Sequence, residues 1–232
     1  MIRLGVTGTD TGVGKTAVTA ALTAWLRHSD RNAVAMKPIE TGMHTADSEL
    51  LKSAGGDTAT LDEIAPVRFP QPLAPAIAAK ISGAPIEIEK LDRAFDHLAQ
   101  GRDAILVEGA GGIVAPIDKR MSYAGLFRRW DLRVIIVAAN RLGTINHTLL
   151  TTAAARGAGL EVLAIVLNDL PPTFDDLSRA SNRESLQELI EDVPVVSFPT
   201  VENPRDISQL VRALESSGLG TLVLDRDAHT DI

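Results

Sequence analysis

The sequence predicts a single α/β domain built on an open, mostly parallel β-sheet with helices on both faces. Three observations predict it. The length, 232 residues, suits one domain with a sizeable core better than two. Short apolar runs alternate with stretches of helical pattern, the order expected of strand–helix–strand units. The apolar runs are apolar throughout rather than alternating, as parallel strands covered on both faces require.

In chain order the strands are expected at "IRLGV" (2–6), "AVAM" (33–36), "AILV" (104–107), "RVIIVA" (133–138), "VLAIVL" (162–167) and "VPVVSF" (193–198). Helices are expected at 15–28, 47–54, 74–82, 88–100, 144–157, 177–191 and 206–216, the last with Asp206 as its N-cap. Loops at 38–46, 66–75 and 109–122 are long and carry Gly or Pro. In open parallel sheets ligands bind beyond the carboxyl ends of the strands, so these loops are where a site is sought. The domain is expected to span 1–224, and "DRDAHTDI" (225–232) to be a polar tail that frays.

Composition excludes several classes of function. Lys plus Arg number 23 against 30 Asp plus Glu, a net charge of −7. That disfavours non-specific nucleic-acid binding and an anionic membrane surface. Aromatics are 3 % of the chain, too few for a base-stacking platform. There is no cysteine, hence no thiol catalysis and no cysteine-ligated metal. No window approaches the ~20 apolar residues of a membrane span, and "MIRLGVTG" lacks the apolar stretch of a secretion signal. A cytoplasmic protein is expected, with neither nucleic acid nor membrane as partner.

"VTGTDTGVGKT" (6–16) carries the first chemical signal. It departs from G-x-x-x-x-G-K-[ST] by one residue: Thr9 stands where the first glycine belongs, and Gly8 comes one position early. The context, strand then Gly-rich loop then helix, is the one phosphate binding needs. Thr11, Gly12, Val13 and Gly14 can turn backbone N–H groups toward a phosphate, and the helix N-terminus adds positive charge. Lys15 can reach the β- and γ-phosphates of ATP, and the Thr16 hydroxyl can ligand Mg²⁺. "AILVEGAGG" (104–112) ends an apolar strand on Glu108, a Walker B arrangement with Glu for Asp. "MKPIETG" (36–42) sets Lys37 at a third strand end, where a second cation can face a transferring phosphate, and adds Thr41. Taken singly, each also reads as a Gly-rich turn, a strand-end acid or a solvated lysine.

"GTDTGVGKT" (8–16), "KPIETG" (37–42), "VEGAGG" (107–112) and "LGTINHT" (142–148), in this order and spacing, resemble dethiobiotin synthetase, with "LND" (167–169) a weaker fifth match. The loop's extra residue belongs to that family's version of the motif. The resemblance implies a P-loop NTPase-like fold and a homodimer. It implies a ligase joining CO₂ to 7,8-diaminononanoate with MgATP: a carbamate forms, ATP phosphorylates it, and the second amine closes the ureido ring and expels phosphate. Lys15 would bind the ATP phosphates; Thr16, Asp47 and Glu108 would hold Mg²⁺; Lys37 and Thr11 would stabilise the carbamate and the transferring phosphate. Thr41 would contact the diamine or carbamate, and Asn168 would read the adenine edge. Gly143, Thr144 and Asn146 match a helix start that binds the substrate carboxylate from the partner subunit, with His147 beside it. Pro72, Leu73, Ala74 and Pro75 resemble the loop over the substrate chain. Taken alone, Asp47 also reads as a helix N-cap and Asn168 as a turn residue.

Two departures stand out. Gly12 occupies a position where many family members carry Glu. Segment 171–185 matches poorly, Asn182 being its one candidate contact. An alternative is a ParA/MinD-type ATPase switch without ligase activity. Such loops normally carry an additional lysine near their start, whereas this one has Asp10 and no lysine before Lys15. Cobyrinic acid amide synthases require a glutaminase domain with a catalytic cysteine, which this chain lacks.

Overall fold

In chain order the strands are β1 (Ile2–Gly8), β2 (Ala33–Met36), β3 (Ile39–Thr41), β4 (Val67–Phe69), β5 (Ala104–Gly112), β6 (Arg133–Ala139), β7 (Val162–Asn168) and β8 (Val195–Phe198). Six of them form a parallel sheet in the order β2-β5-β1-β6-β7-β8, and β3 and β4 pair as a small parallel sheet of their own. The computed structural model describes residues 1–42, 46–171 and 176–228. Side chains of both parities are buried on the central strands, for example Leu4, Val6 and Thr7 on β1. Both sheet faces are therefore covered, which is why these strands read as unbroken apolar runs.

The helices are α1 (Lys15–His28), α2 (Ala46–Ala54), α3 (Leu61–Ile64), α4 (Pro75–Ser82), α5 (Ile88–Ala99), α6 (Tyr123–Arg129), α7 (Thr144–Gly157), α8 (Asn182–Leu189), α9 (Ile207–Ser217) and α10 (Leu219–Ala228). Val18, Leu22 and Leu26 recur every fourth residue on α1, are fully buried, and seat that helix in the core beside α9, α2 and α10. Asp206 caps α9 as expected, accepting from the backbone of Ser208 and Gln209. No helix of the described residues is long and apolar enough to cross a membrane.

Gly5 lets α6 approach β1: a Cβ there would lie 2.6 Å from the Phe127 ring. Gly5→Ala is expected to cost about 1–3 kcal/mol through overpacking, read as a lower urea midpoint. An unchanged midpoint would show that α6 can move aside.

Expected and observed elements differ in a few places. β8 starts at Val195 rather than 193 because Pro194 has no N–H for the ladder. The single helix expected over 177–191 is a 3₁₀ turn (Leu177–Ala180) followed by α8. Asp176 caps the turn, and Ser181 leaves regular helix geometry at φ −109°. The tail boundary at 224 is corrected: residues 225–228 complete α10, and Arg133 binds Asp227 at 3.0 Å and the Arg226 carbonyl at 3.2 Å. Residues 229–232 lie outside the described part.

Sheet register places the site. Met36 pairs with Val107 and Val6 with Glu108. Lys37 follows the last residue of β2, whereas β5 runs on to Gly112 instead of ending at Glu108 as expected, so Glu108 lies within its strand beside Val6, two residues before β1 ends and its glycine-rich loop begins.

Candidate nucleotide and substrate site

The loop after β1 turns into α1 at Gly14, whose φ of +95° is left-handed. A Cβ there would lie 2.0 Å from the Asn168 amide nitrogen. Only glycine meets both conditions. No side chain caps the start of α1, so its first-turn N–H groups remain disposed to meet an anion. Val13 is buried and offers only backbone, while Thr11 and Gly12 are exposed. A Cβ on Gly12 would meet nothing within 4 Å, so the absent glutamate leaves open space and the backbone turn intact.

Two lysines face one cleft of about 710 Å³. Lys15 is buried, and its ammonium donates to the Asp10 carbonyl at 3.0 Å. Burial pushes its pKa down, against the opposing pull of Glu108. Lys37 donates to Glu108 Oε1 at 2.8 Å and ion-pairs with Asp47. Burial alone would lower the pKa of Lys37, but the Glu108 and Asp47 carboxylates override it and hold it well above the usual lysine range. Thr16 Oγ1 donates to the same Glu108 oxygen at 2.9 Å. The cleft is also lined by Thr11, Gly12, Gly14, Thr41 and the Pro72–Pro75 segment. That segment is tied to the chain after β5 by Ala76 N–H to Pro116 O at 3.1 Å.

Mg²⁺ fits this donor set. Glu108 Oε2 is buried without a hydrogen-bond partner, and Thr16 and Asp47 line the same cleft. Among the described residues no three acidic or histidine side chains gather to hold a metal by themselves. Mg²⁺ needs only one or two carboxylates, with waters and phosphates completing its shell.

Other expected residues lie differently. Asn168 is buried, and its amide donates to Val13 O at 2.9 Å. It braces the phosphate loop through one of its two amide N–H donors. Asn182 is buried too and donates to Asn140 Oδ1 at 2.9 Å. Gly143 starts α7, but Gly143, Thr144 and Asn146 do not line the cleft of their own chain. The Thr144 N–H donates to Arg141 O at 3.1 Å, and its buried hydroxyl has no hydrogen-bond partner among the described residues. Asn146 and His147 are exposed.

A second cavity of about 490 Å³ lies just past β6, β7 and β8, lined in part by Asn140, Asp169, Arg179 and Thr200. Sequence reasoning missed Asn140, Arg179 and Thr200, and met Asp169 only as the end of "LND". Their one signal is position, immediately after three parallel strands.

A glycine-rich loop between a parallel strand and a helix start, with its lysine, a hydroxyl and an acid from the neighbouring strand facing one cleft, defines a P-loop nucleotide-binding protein. An AAA domain family model matches residues 3–208. The ATP-dependent dethiobiotin synthetase BioD of Aquifex aeolicus is 41% identical over 229 residues, covering 97% of this chain and 99% of that one. The protein of the same name from Methanococcus vannielii is 38% identical over 200 residues, 86% of this chain and 92% of that one. The chain belongs to the dethiobiotin synthetase family. Among solved structures, MinD with Mg-ADP from Pyrococcus horikoshii superposes with a TM-score of 0.53 at 20% identity, covering 96% of this chain and 93% of that one. A ParA family ATPase from Chlorobium tepidum gives 0.54 at 17%, with 99% and 100% covered. That likeness is one of fold alone, and the reading as a ParA/MinD-type switch is set aside.

Proposed function

We propose that this cleft joins CO₂ to 7,8-diaminononanoate at the expense of ATP, closing the ureido ring of dethiobiotin and releasing ADP and phosphate. The observation that supports it is the convergence of Lys15, Thr16, Lys37 and Glu108 on one cleft in a chain of this family. Family membership makes the protein an ATP-dependent carbon–nitrogen ligase, dethiobiotin synthase.

One substrate amine adds to CO₂ and loses a proton, leaving a carbamate. A carbamate oxygen attacks the γ-phosphorus and ADP leaves. The second amine then attacks the carbonyl carbon of the mixed anhydride, the carbon–oxygen bond to phosphate breaks, and the ring closes as the amine's proton is lost. Each step moves negative charge, so the protein's task is positioning and charge stabilisation. Loop N–H groups from Thr11 to Thr16 and the Lys15 ammonium hold the β- and γ-phosphates. Lys37, kept protonated by its carboxylates, acts as a fixed positive charge and not as a base. It exchanges Asp47 and Glu108 for the carbamate and the transferring phosphoryl group. Thr11 supports the same charges, and Thr41 contacts the diamine or carbamate. Mg²⁺, held by Thr16, Asp47 and Glu108, would neutralise charge on the phosphate oxygens.

The substrate carboxylate is assigned to the start of α7 in a second subunit, at Gly143, Thr144 and Asn146. Leu142 (73 % exposed) and Leu150 (62 % exposed) leave apolar surface beside that helix start. A homodimer in sedimentation is expected. Mixing inactive Lys15→Ala and Asn146→Ala subunits should restore turnover in the mixed dimers. A fully active monomer would contradict a shared site.

The test of function is ADP release with MgATP, bicarbonate and 7,8-diaminononanoate, each omitted in turn, with the product weighed. Release that needs both co-substrates and yields the dethiobiotin mass supports the reading. Hydrolysis indifferent to both overturns it.

A further inference from the structure

Glu40 is a carboxylate where apolar residues belong. It sits on β3 between Lys37 and Thr41, is 3 % exposed, and does not line the cleft. Among the described residues no salt bridge reaches it. Burying a carboxylate without a cation is costly unless its oxygens are well bonded. Both are bonded, and to one residue: Oε1 accepts from the Ser48 N–H at 3.1 Å and Oε2 from the Ser48 hydroxyl at 2.7 Å. Ser48 is fully buried.

Ser48 is the third residue of α2. First-turn N–H groups have no partner within the helix and carry the positive end of its dipole. The usual cap is a side chain immediately before the helix, which fixes only the local turn. Here the cap reaches across from another strand, so it fixes where the helix begins relative to β3. Side chains alternate along a strand, so Glu40 holds α2 on one side of β3 while Thr41 faces the cleft. The residue next to Ser48 is Asp47, whose carboxylate meets Lys37 in the cleft.

We propose that Glu40 is a positioning residue: by clamping Ser48 it sets the place of Asp47, and so completes the Mg²⁺–nucleotide end of the site. This rests on the reading of Asp47 as a metal ligand.

The test is calorimetric binding of ADP with and without Mg²⁺, which involves no turnover. In the unaltered protein Mg²⁺ tightens ADP binding, and Asp47→Asn removes that gain. Glu40→Ala is expected to reduce the gain about tenfold while metal-free ADP binding stays within about twofold. Glu40→Gln, which can still bond Ser48, keeps most of the gain. Adding Glu40→Ala to Asp47→Asn has no further effect on it. If Glu40→Ala does not fold, Ser48→Ala removes one of the two bonds and is expected to lose part of the gain. An undiminished gain in Glu40→Ala or Ser48→Ala, equal weakening with and without metal, or additivity with Asp47→Asn overturns the proposal. If Mg²⁺ gives no gain in the unaltered protein, or Asp47→Asn keeps it, the metal reading fails and the proposal fails with it.

Discussion

Lys15→Ala is expected to remove tight ATP binding and to lower ligase turnover by about a thousandfold or more, roughly 4 kcal/mol of transition-state stabilisation. The lysine ammonium is already held at the mouth of the loop by the Asp10 carbonyl, so little reorganisation precedes its contact with phosphate. Alanine suits the first turn of α1, and the fold should survive with an unchanged circular-dichroism spectrum. Near-normal turnover in a folded variant would show that the loop does not hold the reacting phosphates.

Lys37→Met is expected to act on kcat more than on nucleotide affinity, with a loss of about 10²–10³ in kcat. Methionine keeps the apolar length of the side chain and removes the charge that faces the carbamate and the γ-phosphoryl group. The change has a second cost. Glu108 is fully buried, and loss of its cation partner is expected to lower stability by about 3–5 kcal/mol. Kinetics are therefore read well below the melting temperature, with melting followed in parallel. A variant that loses ATP affinity while keeping kcat would assign Lys37 to ground-state binding instead.

The central strands were legible because coverage on both faces leaves an unbroken apolar run, and β1, β5, β6 and β7 all have one. β3 and β4 were not: each has three residues, and Glu40 and Arg68 interrupt the pattern. The α6 segment "YAGLFRR" carries a central glycine and follows a loop rich in polar residues, which hid a helix capped by Ser122. The loop and Lys37 could be placed because each follows a strand end, where parallel topology gathers residues from distant segments; Glu108 was found although its strand does not end there, since β5 continues through the glycines to Gly112. Asn168 was singled out by the same logic, but its partner was not, since nothing local ties it to Val13. At Thr144 a helix-start motif does not reveal that a preceding turn already uses its N–H. Thr200, whose hydroxyl donates to the Asp169 carbonyl, has no sequence pattern at all, whereas Asp169 ends the weak "LND" match.

The brace from Asn168 to Val13 joins residues 155 positions apart. The phosphate loop, although encoded at the very start of the chain, is thus finished by one of the later strands. Synthesis delivers β1 long before β7, and closing so long a separation is a late and slow event. A growing polypeptide can therefore form this brace only after Asn168 has been made, so the last support of the phosphate loop arrives from the far half of the chain.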